Sequence, residues 1–382
     1  MVYFDHAAAT PVDPKVQKAM EPYLFDAFFN PSSPYAPAVG VRRVYEEAKH
    51  NLARAIGASA ADIVITAGAT ESINLAIRGV GGHVVTTSIE HHAVLNTAKQ
   101  GDVTIVPVNE KGLVDLEALR AAIRPDTRLV SVALANNEIG TVQPLRRIAE
   151  MIGEERSNRR ESGDTTPLFL HSDASQGVGQ LDVNVSRLGV DLLTLNSAKI
   201  YGPKQMGLLW ASSEVSLAPE ITGGGQERGL RSGTENVAGV VGFAKAMELM
   251  IEHRNYETER IRALRDEAQR RLMEAFPEAV VSGHQKHRLA GHLHISFPAI
   301  DAERLIFALE AEHIYVATGS ACAANKGTRS HVLDAIGLPV ELADGSLRLT
   351  FGHLTTEYNV PQAIDKIIKT IRAEYDRLGR AQ

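Results

Sequence analysis

Apolar and β-branched residues in the first two thirds of the chain come in short runs, at 62–66, 83–87, 103–108, 128–133, 168–171, 191–195 and 207–210. Each run has the length of a buried strand. Between them lie longer stretches, 41–56, 71–78, 91–100, 116–123 and 145–156, where apolar positions recur at helical spacing. In 41–56 the stripe is Val41, Val44, Tyr45, Ala48, Leu52, Ala55 and Ile56, one face of a 3.6-residue period. Strand and helix in alternation predict an α/β fold, a mostly parallel sheet with helices on both faces. The polar stretch 153–167 reads as a loop without assignable chemistry.

From Thr234 onward the pattern changes. Residues 236–276 predict a long, charge-rich helical stretch with at most two breaks. Beyond Pro277 come strand 292–297, helix 302–312, strand 314–317, helix 329–336, strand 346–351 and helix 357–378, a smaller α+β domain. The last helix sets Lys and Arg against Ile, a solvated face over a core stripe.

Composition narrows the function classes. Of 382 residues, 44% are hydrophobic and 23% charged, as in ordinary globular proteins, and the length suggests two domains. A net charge of -6 and the lack of a basic stripe argue against nucleic acid as partner. Met1 to His6 carry no secretion-signal pattern, and no apolar run reaches the ~18 residues of a membrane span. One cysteine, Cys322, excludes a disulfide scaffold and suits a reducing, cytoplasmic compartment. It sits in Gly319-Ser320-Ala321-Cys322-Ala323-Ala324-Asn325-Lys326-Gly327, where small neighbours leave a thiol accessible. A buried, inert thiol is the competing reading.

Candidate chemistry gathers at predicted strand ends. Lys199 follows run 191–195 and precedes a Gly-Pro turn; it reads either as a cleft residue or as a solvated lysine. Asp173, after run 168–171, reads equally as a helix N-cap or as the partner of a protonated pyridine nitrogen, with Gln176 beside it as donor to a phenolic oxygen. Gly68-Ala69-Thr70-Glu71-Ser72 places a hydroxyl and orphan amides at a helix start, an anion site in outline. His91, next to His92, follows another strand and suits stacking on a flat ring. The histidine pair lacks partners at metal-ligand spacing, so no metal is expected. The run from Gly223 to Asn236 ends in Ser232-Gly233-Thr234, a further phosphate loop or merely a surface loop. In an open α/β sheet the carboxyl ends of strands converge on one crevice.

In this order the motifs resemble the cysteine desulfurases of fold type I, pyridoxal-phosphate enzymes that feed iron–sulfur assembly. The likeness runs from Phe4-Asp5-His6-Ala7-Ala8-Ala9-Thr10-Pro11 to Leu347-Arg348-Leu349-Thr350. It is most specific at Ala69-Thr70-Glu71-Ser72, Asn136-Asn137-Glu138-Ile139-Gly140-Thr141, Lys199-Ile200-Tyr201-Gly202-Pro203-Lys204, Arg231-Ser232-Gly233-Thr234-Glu235-Asn236 and Gly319-Ser320-Ala321-Cys322. The stretch through Arg329-Ser330-His331-Val332-Leu333 is similar to the long-loop class.

The resemblance implies a large domain over 13–257 with a mostly parallel seven-stranded sheet, and a small domain from 1–12 and 258–382 that carries Cys322. It implies pyridoxal 5'-phosphate tethered to Lys199, with Asp173 on the pyridine nitrogen, Gln176 on the phenolic oxygen and His91 stacked on the ring. Thr70, Glu71 and Asn196 belong to the cofactor site, with Thr234 supplied by the second subunit of a homodimer. Asn137, a residue of both sites, and Arg348 grip the carboxylate of L-cysteine. Cys322 accepts the sulfur and passes it from a persulfide to an acceptor, an iron–sulfur scaffold or a small sulfur carrier.

One motif departs. The family usually reads Ser-x-His-Lys at the tethering lysine, with both side chains on the phosphate; here the run is Asn196-Ser197-Ala198-Lys199. Loss of a hydrogen bond to a charged group costs about 1.5–3 kcal/mol, roughly ten- to a hundredfold in affinity. Weaker cofactor binding is expected unless Ser197 or another group compensates. Other readings of the same residues are a selenocysteine lyase, an aminotransferase, or a partner-binding module that has lost the cofactor.

Overall fold

The computed structural model describes residues 1–319 and 329–379. A seven-stranded sheet forms its centre, in the order Ile63–Thr66, Gly207–Ala211, Leu192–Asn196, Phe169–Asp173, Thr127–Ser131, His83–Thr87 and Val103–Val106. All pairings are parallel except those of Gly207–Ala211, which runs antiparallel to both neighbours. Most of these strands are buried on both faces, the reason their sequences are nearly continuous apolar runs rather than alternating ones. Every one of the seven predicted strands is present, with no end displaced by more than two residues and His83–Thr87 matching at both ends.

Helices cover both faces. Ala36–Ala55 buries Val41, Tyr45, Ala48 and Leu52, the predicted stripe. Ala69–Val80 starts directly after Gly68, whose φ of 135° lets the chain leave the strand and enter the helix without a cap side chain. The expected loop 153–167 is corrected: the preceding helix runs on through Leu145–Glu161. Its charged residues are structural. The buried Arg159 donates to the backbone oxygens of Thr127 (2.9 Å), Arg124 (2.8 Å) and Thr166 (3.2 Å), tying the helix to the start of strand Thr127–Ser131, which precedes it in the chain. A charge-dense segment looks like a loop only if its arginines are assumed to face water.

Residues 236–276 form one unbroken helix, Val237–Ala275, capped by Asn236 Oδ1 accepting from the Gly239 amide at 3.0 Å. It joins two cores. Val237, Val240, Phe243 and Met247 belong to the sheet's cluster. Ile261, Leu264, Ala268 and Leu272 belong to a second cluster, with Phe4 and residues from Phe276 to Tyr375. There a three-stranded antiparallel sheet sets His292–Ser296 between Ser346–Thr350 and Val280–Val281. Ile314–Tyr315 does not join it; that strand pairs in parallel with Val2–Tyr3, a strand too short to show in the hydropathy pattern. The N-terminal segment thus runs along the seam between the cores, where Asp5 bridges to Thr350.

Candidate active site

The carboxyl ends of the parallel strands open into a cavity of about 210 Å³. Thr70, His91, Asn137, Asp173, Gln176, Asn196, Lys199 and Arg348 all line it. Residues spread over 278 positions of sequence meet because the strand ends meet.

Lys199 closes the single turn Ser197–Lys199 that follows strand Leu192–Asn196. Its Nζ donates to the carbonyl oxygens of Ala7 and Ala8, at 2.7 Å each, so the N-terminal segment forms one wall. Gln176 Nε2 donates to the same Ala7 oxygen at 3.1 Å. Asp173 ends its strand, with Oδ1 accepting the Ser175 amide at 3.0 Å; this short Asx turn presents the carboxylate at the cavity rather than capping a regular helix.

His91 caps helix His92–Ala98, its Nδ1 accepting the Ala93 amide at 3.1 Å. In the neutral ring the proton therefore sits on Nε2. Burial holds the His91 pKa below the usual histidine value; Lys199 adds to the effect and the Asp173 carboxylate opposes it. Arg348 is 2% exposed in the middle of strand Ser346–Thr350. Its Nη2 donates to Asp5 Oδ1 at 2.6 Å and its Nη1 to the Asn137 carbonyl at 3.2 Å, which fixes the guanidinium fork and leaves terminal N–H groups for a ligand carboxylate.

Two candidates lie off this cavity. Glu71 turns back to its own loop, accepting from the Ala67 amide (2.9 Å) and from Arg231 Nε (2.9 Å). Thr234 is exposed in a separate cavity of about 180 Å³, with Tyr45, Glu227 and Arg231. Cys322 lies outside the described residues. Ser197 does not compensate for Ala198: its hydroxyl is buried against Gly202, where an added Cβ would come within 2.0 Å of Oγ, and it does not line the cavity. Asn196 does line the cavity, with Oδ1 taken by the Ala198 amide at 3.0 Å and its amide nitrogen left as donor.

Sequence reasoning missed five contributors. Asp5 was quoted only as part of a motif, yet it is the counter-charge of Arg348. Ser175 lines the cavity between Asp173 and Gln176 with a buried, unpartnered hydroxyl. Glu138 lines it too, accepting from Ser330 Oγ at 2.5 Å, and burial raises its carboxyl above the usual range. His331 donates Nε2–H to the Glu90 carbonyl at 2.9 Å and packs 4.5 Å from His92. Beneath it Glu90, wholly buried, has its pKa pushed up to about 8 by desolvation. Only the clustering of His and Glu around 90–92 and at 331 hinted at these.

The donor set fits pyridoxal phosphate. The open first turn of Ala69–Val80 and Thr70 suit a phosphate, Asp173 a protonated ring nitrogen, Gln176 a phenolate and Lys199 an imine, all facing one space. A mostly parallel seven-stranded sheet with lysine and aspartate at its carboxyl edge is the arrangement of fold type I pyridoxal-phosphate enzymes. Residues 2–362 match the aminotransferase class-V family, and the chain belongs to it. It is 42% identical to cysteine desulfurase IscS 1 of Archaeoglobus fulgidus over 390 aligned positions, covering 99% of this chain and 98% of that protein. Among solved structures it superposes on a NifS-like protein with a TM-score of 0.89 at 33% identity, covering 97% and 99% of the two chains. SspA in complex with cysteine superposes at 0.78 with 33% identity, covering 92% and 99%.

Proposed function

We propose that this chain is a pyridoxal-phosphate-dependent cysteine desulfurase that converts L-cysteine to L-alanine and retains the sulfur on Cys322 as a persulfide. The observation that carries the reading is the meeting of Lys199, Asp173, His91 and Arg348 around one cavity, in a chain 42% identical to a cysteine desulfurase.

Arg348 and Asn137 hold the substrate carboxylate and turn Cα toward Lys199. Bound pyridoxal phosphate supplies the electron sink that makes the α-proton removable. The Lys199 amine takes that proton. Asp173 keeps the opposite edge of the site negative, and His91 covers the face above it. Cys322, as thiolate, attacks the substrate sulfur; the carbon–sulfur bond breaks as the sulfur–sulfur bond forms, and its electron pair returns to carbon, which is protonated. Cysteine plus enzyme thiol thus balance alanine plus enzyme persulfide. An acceptor protein, an iron–sulfur scaffold or a small sulfur carrier, takes the sulfur on, in a cytoplasmic setting where the thiol stays reduced. Among the described residues no helix is long and apolar enough to cross a membrane.

The working unit is a homodimer. Leu24 (56% exposed), Phe25 (71%) and Phe28 (68%) are large apolar side chains left exposed within five positions of sequence, and burial against a second copy would cover them. In this reading Thr234, which is exposed and off its own chain's cleft, serves the partner's phosphate.

The test is Cys322→Ala. Alanine release from cysteine stops while the visible absorption of bound cofactor persists. Desulfuration at the full rate by that variant would refute the assignment.

A further inference from the structure

Lys199 has a second side. Adjoining the cleft, with Ala7, Gln176 and Lys199 as shared walls, lies a second cavity of about 70 Å³ that is also walled by His6, Tyr201, His292 and His353. A neighbouring space of about 60 Å³ shares Lys199, Tyr201, Glu257 and His353 and reaches the exposed His253. Each exceeds the ~10–15 Å³ that one water needs.

The walls are polar where it matters. His6 is 7% exposed, and its Nδ1 lies 2.8 Å from the Thr350 carbonyl, an acceptor only. Nδ1 therefore carries the hydrogen, and Nε2, buried and without a protein partner, is a bare acceptor. Both ring nitrogens of His292, 2% exposed, are likewise buried and unpartnered. The Tyr201 hydroxyl accepts the His353 amide at 2.7 Å and keeps its own hydrogen to donate. The His353 ring stacks on Tyr201 with centroids 3.9 Å apart and lies 3.6 Å from the Glu257 carboxylate, at the outer end. Buried polar atoms of this kind are matched by water, and the two cavities abut through their shared walls Lys199, Tyr201, Glu257 and His353, which together outline a passage.

We propose that this passage is the proton path of Lys199: waters held by His6 Nε2, His292 and the Tyr201 hydroxyl exchange protons between Lys199 Nζ and solvent near His353 and Glu257. The inference rests on Lys199 being the base that removes the α-proton. When substrate and cofactor fill the cleft, the route to solvent through it closes and the one through the second cavity stays open. The proton taken from Cα joins Nζ; one ammonium proton passes to the adjoining water, each water hands one on, and bulk water receives the last. The reverse sequence restores a solvent proton to Nζ, with no net redox change. His6 is a positioning residue, acting through the water it holds.

The experiment follows deuterium washout from Cα-deuterated L-alanine on the cofactor-loaded protein in ordinary water. His6→Asn keeps an N–H for the Thr350 carbonyl and deletes Nε2; washout falls about tenfold. His6→Gln restores an acceptor near the Nε2 position and returns washout to within about threefold of the unmodified protein. Crystals of the cofactor-free protein show ordered water about 3 Å from His6 Nε2, absent in His6→Asn. If His6→Asn fails to fold, Tyr201→Phe is held to the same tenfold criterion. Unchanged washout in the variants, or a dry passage, overturns the path alone. No washout from the unmodified protein overturns the role of Lys199 and the path with it.

Discussion

Acid should unfold this protein through a small set of buried histidines. His6 and His171 have pKa values lowered to about 4, and His292 and His294 to about 3, chiefly by burial. In the unfolded chain each titrates near 6.5. Below that pH the unfolded state binds more protons, so their contribution is complete above pH 6.5 and declines as pH falls toward the folded values. From pH 7 to 5.5 each histidine costs about 1.3 kcal/mol, about 5 for the four. Glu90 acts in the opposite sense, because its pKa is raised to about 8; over the same interval it returns about 2 kcal/mol. The net loss, about 3 kcal/mol, is a large share of a typical 5–15 kcal/mol stability. Urea denaturation followed by circular dichroism at half-unit pH steps measures the slope. His294→Leu isolates one group: His294 is fully buried, opposite Arg348 in the strand register, with both ring nitrogens unpartnered. The variant flattens the slope by about one proton, about 1.4 kcal/mol per pH unit. A slope unchanged by His294→Leu, or a stability flat between pH 7 and 5.5, refutes the reasoning.

Three further outcomes follow from the site. Ala198→His supplies the donor absent from the phosphate end and tightens pyridoxal phosphate binding by about ten- to a hundredfold; equal dissociation constants by equilibrium dialysis would show that Asn196 already suffices. Asp5→Asn leaves the buried Arg348 fork without its counter-charge, so KM for cysteine rises about tenfold while kcat changes less than twofold; steady-state kinetics with kcat falling instead would assign Asp5 to the chemistry. Glu90→Gln matches wild type in melting temperature below pH 5 and gains on it as pH rises through 8, because a raised carboxyl stabilises the fold below its unfolded pKa and loses that contribution through its folded one; parallel melting curves across that range would contradict the burial argument.

The sequence was enough for the strands, the helices between them and most of the cleft. Runs such as 83–87 are apolar because both faces of a parallel strand are covered, and Lys199, Asp173 and His91 were visible because strand ends are where such a sheet exposes chemistry. Local signals failed where a side chain's meaning depended on a distant partner. Arg159 looked solvated until the strand carbonyls it binds were in place. Asp5 looked like a motif letter until Arg348, 343 residues away, was seen to use it. The chamber adjoining the cleft at Lys199 exists only because Ala7, Tyr201 and His353 pack together across the seam between two cores. Hydropathy and spacing are properties of neighbours along the chain, whereas ion pairing, burial and enclosed volume belong to neighbours in space. The first set determined the fold; the second decided which polar groups the site can use.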